Sequence, residues 1–503
     1  MGAGLHLHPA AAAMTTNGTP DVVIVGSGFG GAVAACRLAT AGKRVLMLER
    51  GRKWRTEDTP AESGKNWFYD PKNPLERDGW MDVRRLDGDM TVVCGAGVGG
   101  GSLIYANVCI DADSKVFESG WPSAINGAVL APYYERVSTM LSPQRVPVDR
   151  PVSRMNLLQE AAVAIGEGAK FERLELAVDF ASCTFCGNCD IGCATGAKKT
   201  LDLNYLAKAQ TNDQTEIRAH CQVSHISGAS GGWRVHYVDY SSGKAVPSEI
   251  VAPRLILAAG SIGSTEILLR SRQRGLTTLP RALGRGWSSN GDFLTPAKYK
   301  SRSPQPTNGP TITSAISFLD GYPPARFFIE DGGIPNLANV IFEADTKPGR
   351  FWAWLSRRGG FGSVMPWFGQ AIDAADGDFY LGRSWLRPWR TAMKLNWNPA
   401  RSEQAIDAME EMHVRLSKAT GGYPIRLPSW GLFKGLVTPH PLGGCNMAAS
   451  PAAGVVDDVG KVFGHQGLYV MDGAIVPRAI GRNPSKTIAA LAERAVEALL
   501  ADM

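Results

Sequence analysis

The 503-residue chain contains no stretch of about eighteen uncharged apolar residues, so we expect no membrane-spanning helix. It also lacks a long lysine or arginine run, and its formal net charge of +6 is modest for this length. Nucleic acid is therefore not an expected partner. The first twenty residues lack the basic and apolar segments of a signal peptide, which predicts a cytoplasmic protein with residues 1–18 disordered.

Glycine, in contrast, is abundant, with 57 residues. Hydrophobic residues make up 44% of the chain and charged residues 20%, which is typical of a globular protein. A chain of this length exceeds one ordinary domain and can bury two cores. The high glycine content favours a fold with many tight turns.

The N-terminal region carries a strand–turn–helix pattern. An apolar run at 21–25 predicts a buried parallel strand, and a glycine-rich turn, a helix over 32–41 and a second strand ending at Glu49 follow. Such glycines let the backbone approach a pyrophosphate at the helix N-terminus, and an acid at the end of the second strand binds ribose hydroxyls. The pattern predicts a dinucleotide site but does not distinguish FAD from NAD. Its predicted cofactor-binding glycines are Gly26, Gly28 and Gly31.

Two later segments favour FAD. Between 95 and 101 the chain holds five glycines in seven residues, flanked by apolar residues. A run this dense passes close to a large ligand or adopts several positive φ angles. The segment 255–269 repeats the strand, glycine turn and helix of a dinucleotide site. The first segment adds the predicted cofactor-binding residues Gly97, Gly100, Gly101 and Ser102.

The last seventy residues contain the candidate catalytic groups. A single histidine, His440, lies beside two glycines, and Asn483 comes just before an apolar C-terminal helix. Between them, a predicted buried strand ends at Asp472 and Gly473, where the backbone can approach a flat ligand. A lone histidine is commonly a core residue, but this pair is what alcohol oxidation needs. The imidazole takes the hydroxyl proton while the amide holds the oxygen and hydride leaves the carbon.

These motifs together resemble the glucose–methanol–choline (GMC) oxidoreductase family, and most of all its non-covalent bacterial cholesterol oxidase-like branch. The resemblance rests on four segments: 95–103, 283–291, 394–397 and 440–445. It implies that His440 and Asn483 are the catalytic pair, that Asp472 and Gly473 lie against the flavin, and that the FAD is non-covalent. Sterol enzymes also use a glutamate on a substrate-domain strand, for which Glu330 is the nearest match. Tyr105 departs from the asparagine that these enzymes tend to carry.

The resemblance implies an α/β fold with a Rossmann-like FAD-binding domain and a sheet-based substrate-binding domain. We expect residues 19–290 and 435–503 to form the first and 291–434 the second. Within the second, the sequence predicts strands at 311–316, 325–329, 339–342 and 393–397 and an amphipathic helix at 403–420. Five of the thirteen tryptophans fall within 351–389. This segment is interpreted as a lid over an apolar substrate, as buried core or as a membrane-surface contact.

A cysteine-rich loop at 183–193 holds four of the nine cysteines. Their C-x2-C-x2-C-x3-C spacing is that of the bacterial ferredoxin run, although Ala194 stands where ferredoxins carry proline. We expect a [4Fe–4S] or [3Fe–4S] cluster, with structural zinc or unligated thiols as the alternatives. Disulfides are not expected in a reducing cytosol. The predicted ligands are Cys183, Cys186, Cys189 and Cys193.

The sequence thus predicts a flavoenzyme that oxidises an apolar alcohol, either sterol-like, long-chain or aryl, to a ketone or aldehyde. The hard chemistry belongs to the flavin. Electrons would leave through the iron–sulfur cluster to an external acceptor protein or quinone, because an oxidase has no need of a cluster. The alternatives are an oxygen-using alcohol or cholesterol oxidase and a flavin and iron–sulfur electron-transfer subunit without its own substrate.

Overall fold

The computed structural model describes residues 19–60, 67–87, 90–166, 168–320, 325–335, 362–383, 391–426, 430 and 435–503. The predicted disordered segment 1–18, the predicted strand 339–342 and the parts 351–361 and 384–389 of the tryptophan-rich segment lie outside these residues. Over the described ranges, no helix is long and apolar enough to cross a membrane.

The α-helices of the described part are distributed along the whole chain. They are α1 (Phe29–Thr40), α2 (Gly127–Leu141), α3 (Ser153–Ile165), α4 (Tyr205–Ala209), α5 (Gly260–Gln273), α6 (Glu403–Ala419) and α7 (Ser485–Ala501).

The strands belong to two larger and three smaller sheets. They are β1 (Val22–Val25), β2 (Val45–Leu48), β3 (Met81–Arg85), β4 (Met90–Gly95), β5 (Lys170–Arg173), β6 (Thr215–Arg218), β7 (Cys221–Ala229), β8 (Gly232–Asp239), β9 (Val246–Ala252), β10 (Arg254–Leu257), β11 (Phe293–Lys298), β12 (Ser314–Ser317), β13 (Phe327–Asp331), β14 (Val364–Ala371), β15 (Asp378–Arg383), β16 (Thr391–Asn396), β17 (Tyr423–Pro424), β18 (Leu436–Thr438) and β19 (Leu468–Val470).

The first large sheet is parallel, with strand order β19-β10-β1-β2-β6. Its strands β1 and β2 are apolar and buried along their whole length, because helices cover a parallel sheet on both faces. Helix α1 packs against α4 and α7. Glu493 of α7 joins these three helices, since it accepts hydrogen bonds from Arg37 of α1 and from the hydroxyl of Tyr205 of α4. The predicted Rossmann-like unit is confirmed.

The second large sheet is antiparallel, with strand order β17-β11-β14-β13-β12-β5. Helices α3 and α6 pack against it. The predicted strands at 311–316 and 325–329 are present as β12 and β13, which begin three and two residues later than predicted. Edge strand β5 comes from the region before 290, which our domain boundaries place with the FAD-binding domain. Those boundaries stay a prediction, whereas the α/β fold with two sheet-based units is confirmed.

Candidate active site

The glycines after β1 separate into those that allow packing and those that face open space. A Cβ on Gly30 would lie 1.5 Å from the Met471 carbonyl oxygen, and a Cβ on Gly31 would lie 2.1 Å from that of Gly26. Gly28 differs, because no described atom outside its chain neighbours and its own helix lies within 4 Å of its added Cβ. Gly28 is also the N-cap of α1 and supplies no side chain to it. The start of α1 therefore presents backbone N–H groups beside open space, which suits an anion.

Glu49 lies at the end of β2, as predicted, but its carboxylate is already engaged. One oxygen accepts from the backbone N–H and the hydroxyl of Ser27, at 3.1 and 2.6 Å, and the other from the Gly51 N–H at 3.0 Å. The side chain is 5% exposed. Glu49 thus ties the first glycine turn to the end of β2.

The second glycine-rich segment, after β4, lies directly on the first. The Gly99 N–H donates to the Ser27 hydroxyl at 3.1 Å, and a Cβ on Gly100 would lie 2.6 Å from the Gly28 Cα. Gly97 has φ +141°, a conformation that favours glycine. Among the described residues, nothing fills the space within 4 Å of an added Cβ on Gly101. Both open positions, Gly28 and Gly101, therefore belong to two segments in direct contact.

Ser102 has an internal role, because its hydroxyl donates to the Gly99 carbonyl at 2.7 Å and accepts from the Leu201 N–H at 3.0 Å. A nearby residue that sequence reasoning missed is Asn107. It is fully buried with φ +67°, and neither amide atom has a hydrogen-bond partner within the described part of the chain. Buried polar groups are rarely left unpaired. The unpaired amide and the open glycines fit a phosphate-linked flavin. Asn107 lies shortly after a glycine-rich run, and this position in the sequence could have indicated it as a candidate residue.

His440 follows β18 and is held by a residue that the sequence did not single out, Asp292. The imidazole Nδ1 lies 2.9 and 3.1 Å from the two carboxylate oxygens of Asp292, and Thr438 donates to the same carboxylate at 2.6 Å. Asp292 is fully buried. Because a carboxylate only accepts hydrogen bonds, Nδ1 carries the proton and Nε2 keeps its lone pair. Asp292 directly follows the segment 283–291, and this position in the sequence could have indicated it as a candidate residue.

Glu330, on the fully buried strand β13, lies next to Asn483. Its Oε2 accepts from the Gln370 amide at 3.0 Å and from the Asn483 amide at 3.5 Å. Burial raises the pKa of Glu330 to about 8. The other oxygen, Oε1, and the Asn483 Oδ1 are buried and have no hydrogen-bond partner among the residues described. Both oxygens are thus left for a ligand. A protonated Glu330 carboxyl can donate a hydrogen bond, and the Asn483 amide oxygen can accept one.

Phe368 brings the three predicted catalytic residues into one neighbourhood. It is the direct partner of Glu330 in the β13–β14 pairing, and its ring centroid lies 6.2 Å from that of His440. Glu330 in turn contacts Asn483. The histidine and the carboxyl–amide pair therefore both lie near one aromatic residue.

Asp472 and Gly473 have different surroundings. The Asp472 carboxylate accepts from the Gly260 N–H at 2.8 Å and the Ser264 hydroxyl at 2.6 Å, at the start of α5, and from the Ala474 N–H at 2.7 Å. Burial raises its pKa to about 6. A Cβ on Gly473 would lie 3.2 Å from the carbonyl oxygen of Pro441, the residue after His440. Asp472 thus anchors α5, while Gly473 allows close approach to the His440 segment.

The four cysteines of the 183–193 loop line one small cavity and are not disulfide-bonded. Within the described ranges, no three His, Cys, Asp or Glu side chains are close enough to hold a single metal ion. This geometry supports neither the structural-zinc alternative nor the predicted iron–sulfur cluster, which stays a prediction.

Comparisons with known proteins agree with the fold. A family model for the N-terminal part of GMC oxidoreductases matches residues 10–277, and one for the C-terminal part matches 386–492. The cholesterol oxidase of Acinetobacter baumannii is 28% identical, and the match covers 95% of this chain and 93% of that protein. The long-chain-alcohol oxidase FAO4B of Arabidopsis thaliana is 24% identical, and the match covers 93% of this chain and 65% of that protein. The crystal structure of pyridoxine 4-oxidase from Mesorbium loti superposes with a TM-score of 0.67 at 16% identity, covering 96% of this chain and 99% of that one. GMC oxidoreductases are flavoenzymes that typically bind FAD and act on alcohols. Since the two family models together match most of its length, the chain belongs to the GMC oxidoreductase family.

Proposed function

We propose that this protein uses non-covalently bound FAD to oxidise an apolar alcohol to a ketone or aldehyde. The observation that carries the proposal is the arrangement around Phe368. His440, whose Nδ1 is held by Asp292, lies near this ring. The strand partner of Phe368 is Glu330, which forms with Asn483 a buried carboxyl–amide pair with two oxygens unpartnered among the described residues. A hydroxyl group both donates and accepts hydrogen bonds, so it complements such a set of groups.

In this mechanism, His440 Nε2 accepts the hydroxyl proton as the carbon–hydrogen bond breaks. Asp292 keeps Nδ1 protonated and stabilises the positive charge that the imidazole gains. Asn483 orients the alcohol oxygen, and Glu330 donates from its protonated carboxyl at neutral pH. FAD supplies the hydride acceptor when bound.

The surroundings of this site support an apolar substrate. Glu330 lies on a strand in which Phe327, Phe328 and Ile329 are fully buried, and the Phe368 ring packs beside it. The desolvation that raises the Glu330 pKa also makes the burial of a charged or strongly hydrated substrate costly. Relatives named cholesterol oxidase and long-chain-alcohol oxidase point to substrates of the same chemical class.

Non-covalent binding is supported by the state of the nearest thiols. Cys94 lies on β4, just before the second glycine-rich segment, and Cys109 lies two residues after Asn107. Burial raises the pKa of both, to about 12 for Cys109, so neither presents a reactive thiolate. His440 is engaged with Asp292 through Nδ1.

For the electron acceptor, we propose an external protein or quinone reached through an iron–sulfur cluster in the 183–193 loop. Oxygen is the second candidate, because the relatives are named oxidases. Anaerobic mixing with sterols, long-chain alcohols and aryl alcohols tests the first half-reaction. Bleaching of the flavin absorbance by an alcohol is the expected result, and the absence of bleaching with all three classes would instead favour an electron-transfer subunit. Mixing the reduced protein with oxygen or with a one-electron acceptor then separates the two candidates.

A further inference from the structure

The cysteine-rich loop is wrapped tightly around its own sulfur atoms. All four cysteines line one cavity, and Cys186 is the most exposed of them. Two glycines make this possible: Gly187 has φ +76° and Gly192 has φ +130°. A Cβ on Gly187 would lie 2.2 Å from the Thr307 carbonyl oxygen, and one on Gly192 would lie 2.6 Å from the Thr59 Cβ. The loop conformation is therefore incompatible with side chains at both turns.

One of the loop sulfurs accepts a hydrogen bond from a backbone N–H group. The Lys198 N–H donates to the Cys193 sulfur at 3.4 Å. A neutral thiol is a weak acceptor, whereas a metal-bound thiolate is stabilised by such donors. The Lys198 N–H is a donor of the kind that supports ligating sulfurs in iron–sulfur proteins.

The shared cavity and the ferredoxin-type spacing of the four cysteines favour a cluster over a single ion. A tetrahedral zinc site holds every sulfur at about 2.3 Å from one centre, and the described part of the chain contains no group close enough for that. An iron–sulfur cluster bridges thiolates that lie farther apart, because each binds a different iron. Four cysteines that line one cavity and form no disulfide are available to bind different irons in this way.

Lys198 connects this loop to the predicted flavin site. The side chain is 2% exposed, and its ammonium donates to the carbonyl oxygens of Leu103 and Tyr105, at 2.8 and 3.0 Å, and to that of Cys189. Leu103 ends the glycine-rich segment that lies on Gly28. Trp80 adds a second link, since its indole N–H donates to the Asp190 carbonyl at 3.2 Å. The cysteine loop is thus fixed to the same backbone that forms the cofactor cleft.

We propose that Cys183, Cys186, Cys189 and Cys193 ligate an iron–sulfur cluster, and that Lys198 is the positioning residue that holds this cluster against the flavin loop. The electron-transfer role rests on the proposed function, but the cluster itself does not. Oxidation of one alcohol releases two electrons and two protons. The cluster carries one electron at a time, so both electrons leave in two successive transfers to two one-electron acceptor proteins or to one quinone. The protons pass to solvent or to that quinone.

Metal analysis of the full-length protein purified without oxygen tests the cluster. Iron and acid-labile sulfide in similar amounts, with an EPR signal after chemical reduction, are the expected result. The exposed ligand is replaced in Cys186→Ser, which should lower the iron content or change the EPR signal. The matched control Cys36→Ala, a buried cysteine on α1, should change neither. Stoichiometric zinc without iron, or no metal at all, would overturn the proposal.

Lys198→Gln tests the positioning role, with Lys199→Gln as the neighbouring control. Removing the buried positive charge should lower the midpoint potential of the cluster. An artificial one-electron acceptor should then reoxidise the reduced protein about 10-fold more slowly, or slower still. The iron content should stay near that of the control. An unchanged potential and rate would remove Lys198 from the proposal. If Lys198→Gln is insoluble, Lys198→Arg replaces it. Because arginine keeps the positive charge, the midpoint potential of the cluster should stay near that of the wild type. A lowered midpoint potential in Lys198→Arg counts against the positioning role. A protein that contains the cluster but is not reduced by any alcohol would contradict the proposed function and leave the cluster in place.

Discussion

Protonation of Glu330 should make the stability of this protein fall as the pH rises. The carboxyl is fully buried on β13, and burial raises its pKa from 4.5 to about 8. In the unfolded chain the same group titrates near its ordinary value. Between pH 4.5 and pH 8 the folded state therefore keeps a proton that the unfolded state has lost.

The sign and size of the effect follow from this difference. Since the folded state binds more protons, the free energy of unfolding decreases as the pH increases through this window. The Glu330 contribution is fully present below pH 4.5 and is lost as the pH rises through about 8. At about 1.4 kcal/mol per unit of pKa difference, the loss amounts to at most about 5 kcal/mol.

Urea unfolding of the wild type and of Glu330→Gln at pH 5 and pH 9 measures this contribution. Gln keeps the shape but cannot ionise, so the pH-dependent loss should be smaller in the variant by several kcal/mol, up to about 5. Glu118→Gln, at an exposed position, serves as the matched control and should behave like the wild type. Equal losses in Glu330→Gln and the wild type would refute the assignment of a buried neutral carboxyl.

Three further predictions concern the catalytic pair and the cofactor. His440→Ala should lower the rate of flavin reduction by about 10²–10⁴-fold with nearly normal flavin content, because the proton acceptor is lost. Asn483→Ala should also slow flavin reduction. Wild-type rates of flavin reduction in stopped-flow assays of these variants would refute both assignments. Asp292→Asn should lower the same rate by about 10-fold or more and alter its pH profile, because an amide can donate to Nδ1 and favour the wrong tautomer; an unchanged pH profile would show that Asp292 only supports packing. Acid precipitation should release the flavin into the supernatant, whereas yellow colour in the pellet would show a covalent bond.

The sequence predicted the flavin-binding half of the fold well because its signals are local. The apolar runs at 21–25 and 44–48 are each short and continuous, and glycines mark the turns between strand and helix. The structure places β1 and β2 within these runs and begins α1 at Phe29, three residues before the predicted start. The shift arises because Gly30 and Gly31 lie inside the first turn of the helix, where they allow close packing.

Contacts between distant segments were harder to predict. His440 and Asn483 could be named from their neighbours in the chain, but their partners could not. Asp292 is 148 residues from His440, and Glu330 is 153 residues from Asn483. An aspartate after a glycine-rich stretch is usually a turn residue, so only the folded arrangement distinguishes Asp292 from that ordinary role.

One short segment just before β11 contacts the surroundings of both candidate catalytic side chains. The Asn290 side chain accepts from the N–H groups of Ile480 and Gly481, each at 3.0 Å, and donates to the Arg482 carbonyl at 3.0 Å. It thereby fixes the backbone immediately before Asn483. Two residues later, Asp292 binds the His440 imidazole. Asn290 has φ +57°, which asparagine tolerates better than most residues, and this turn directs its side chain and that of Asp292 to different targets. The turn around Asn290 therefore holds both the backbone before Asn483 and the partner of His440, and we expect its disruption to displace both candidate groups.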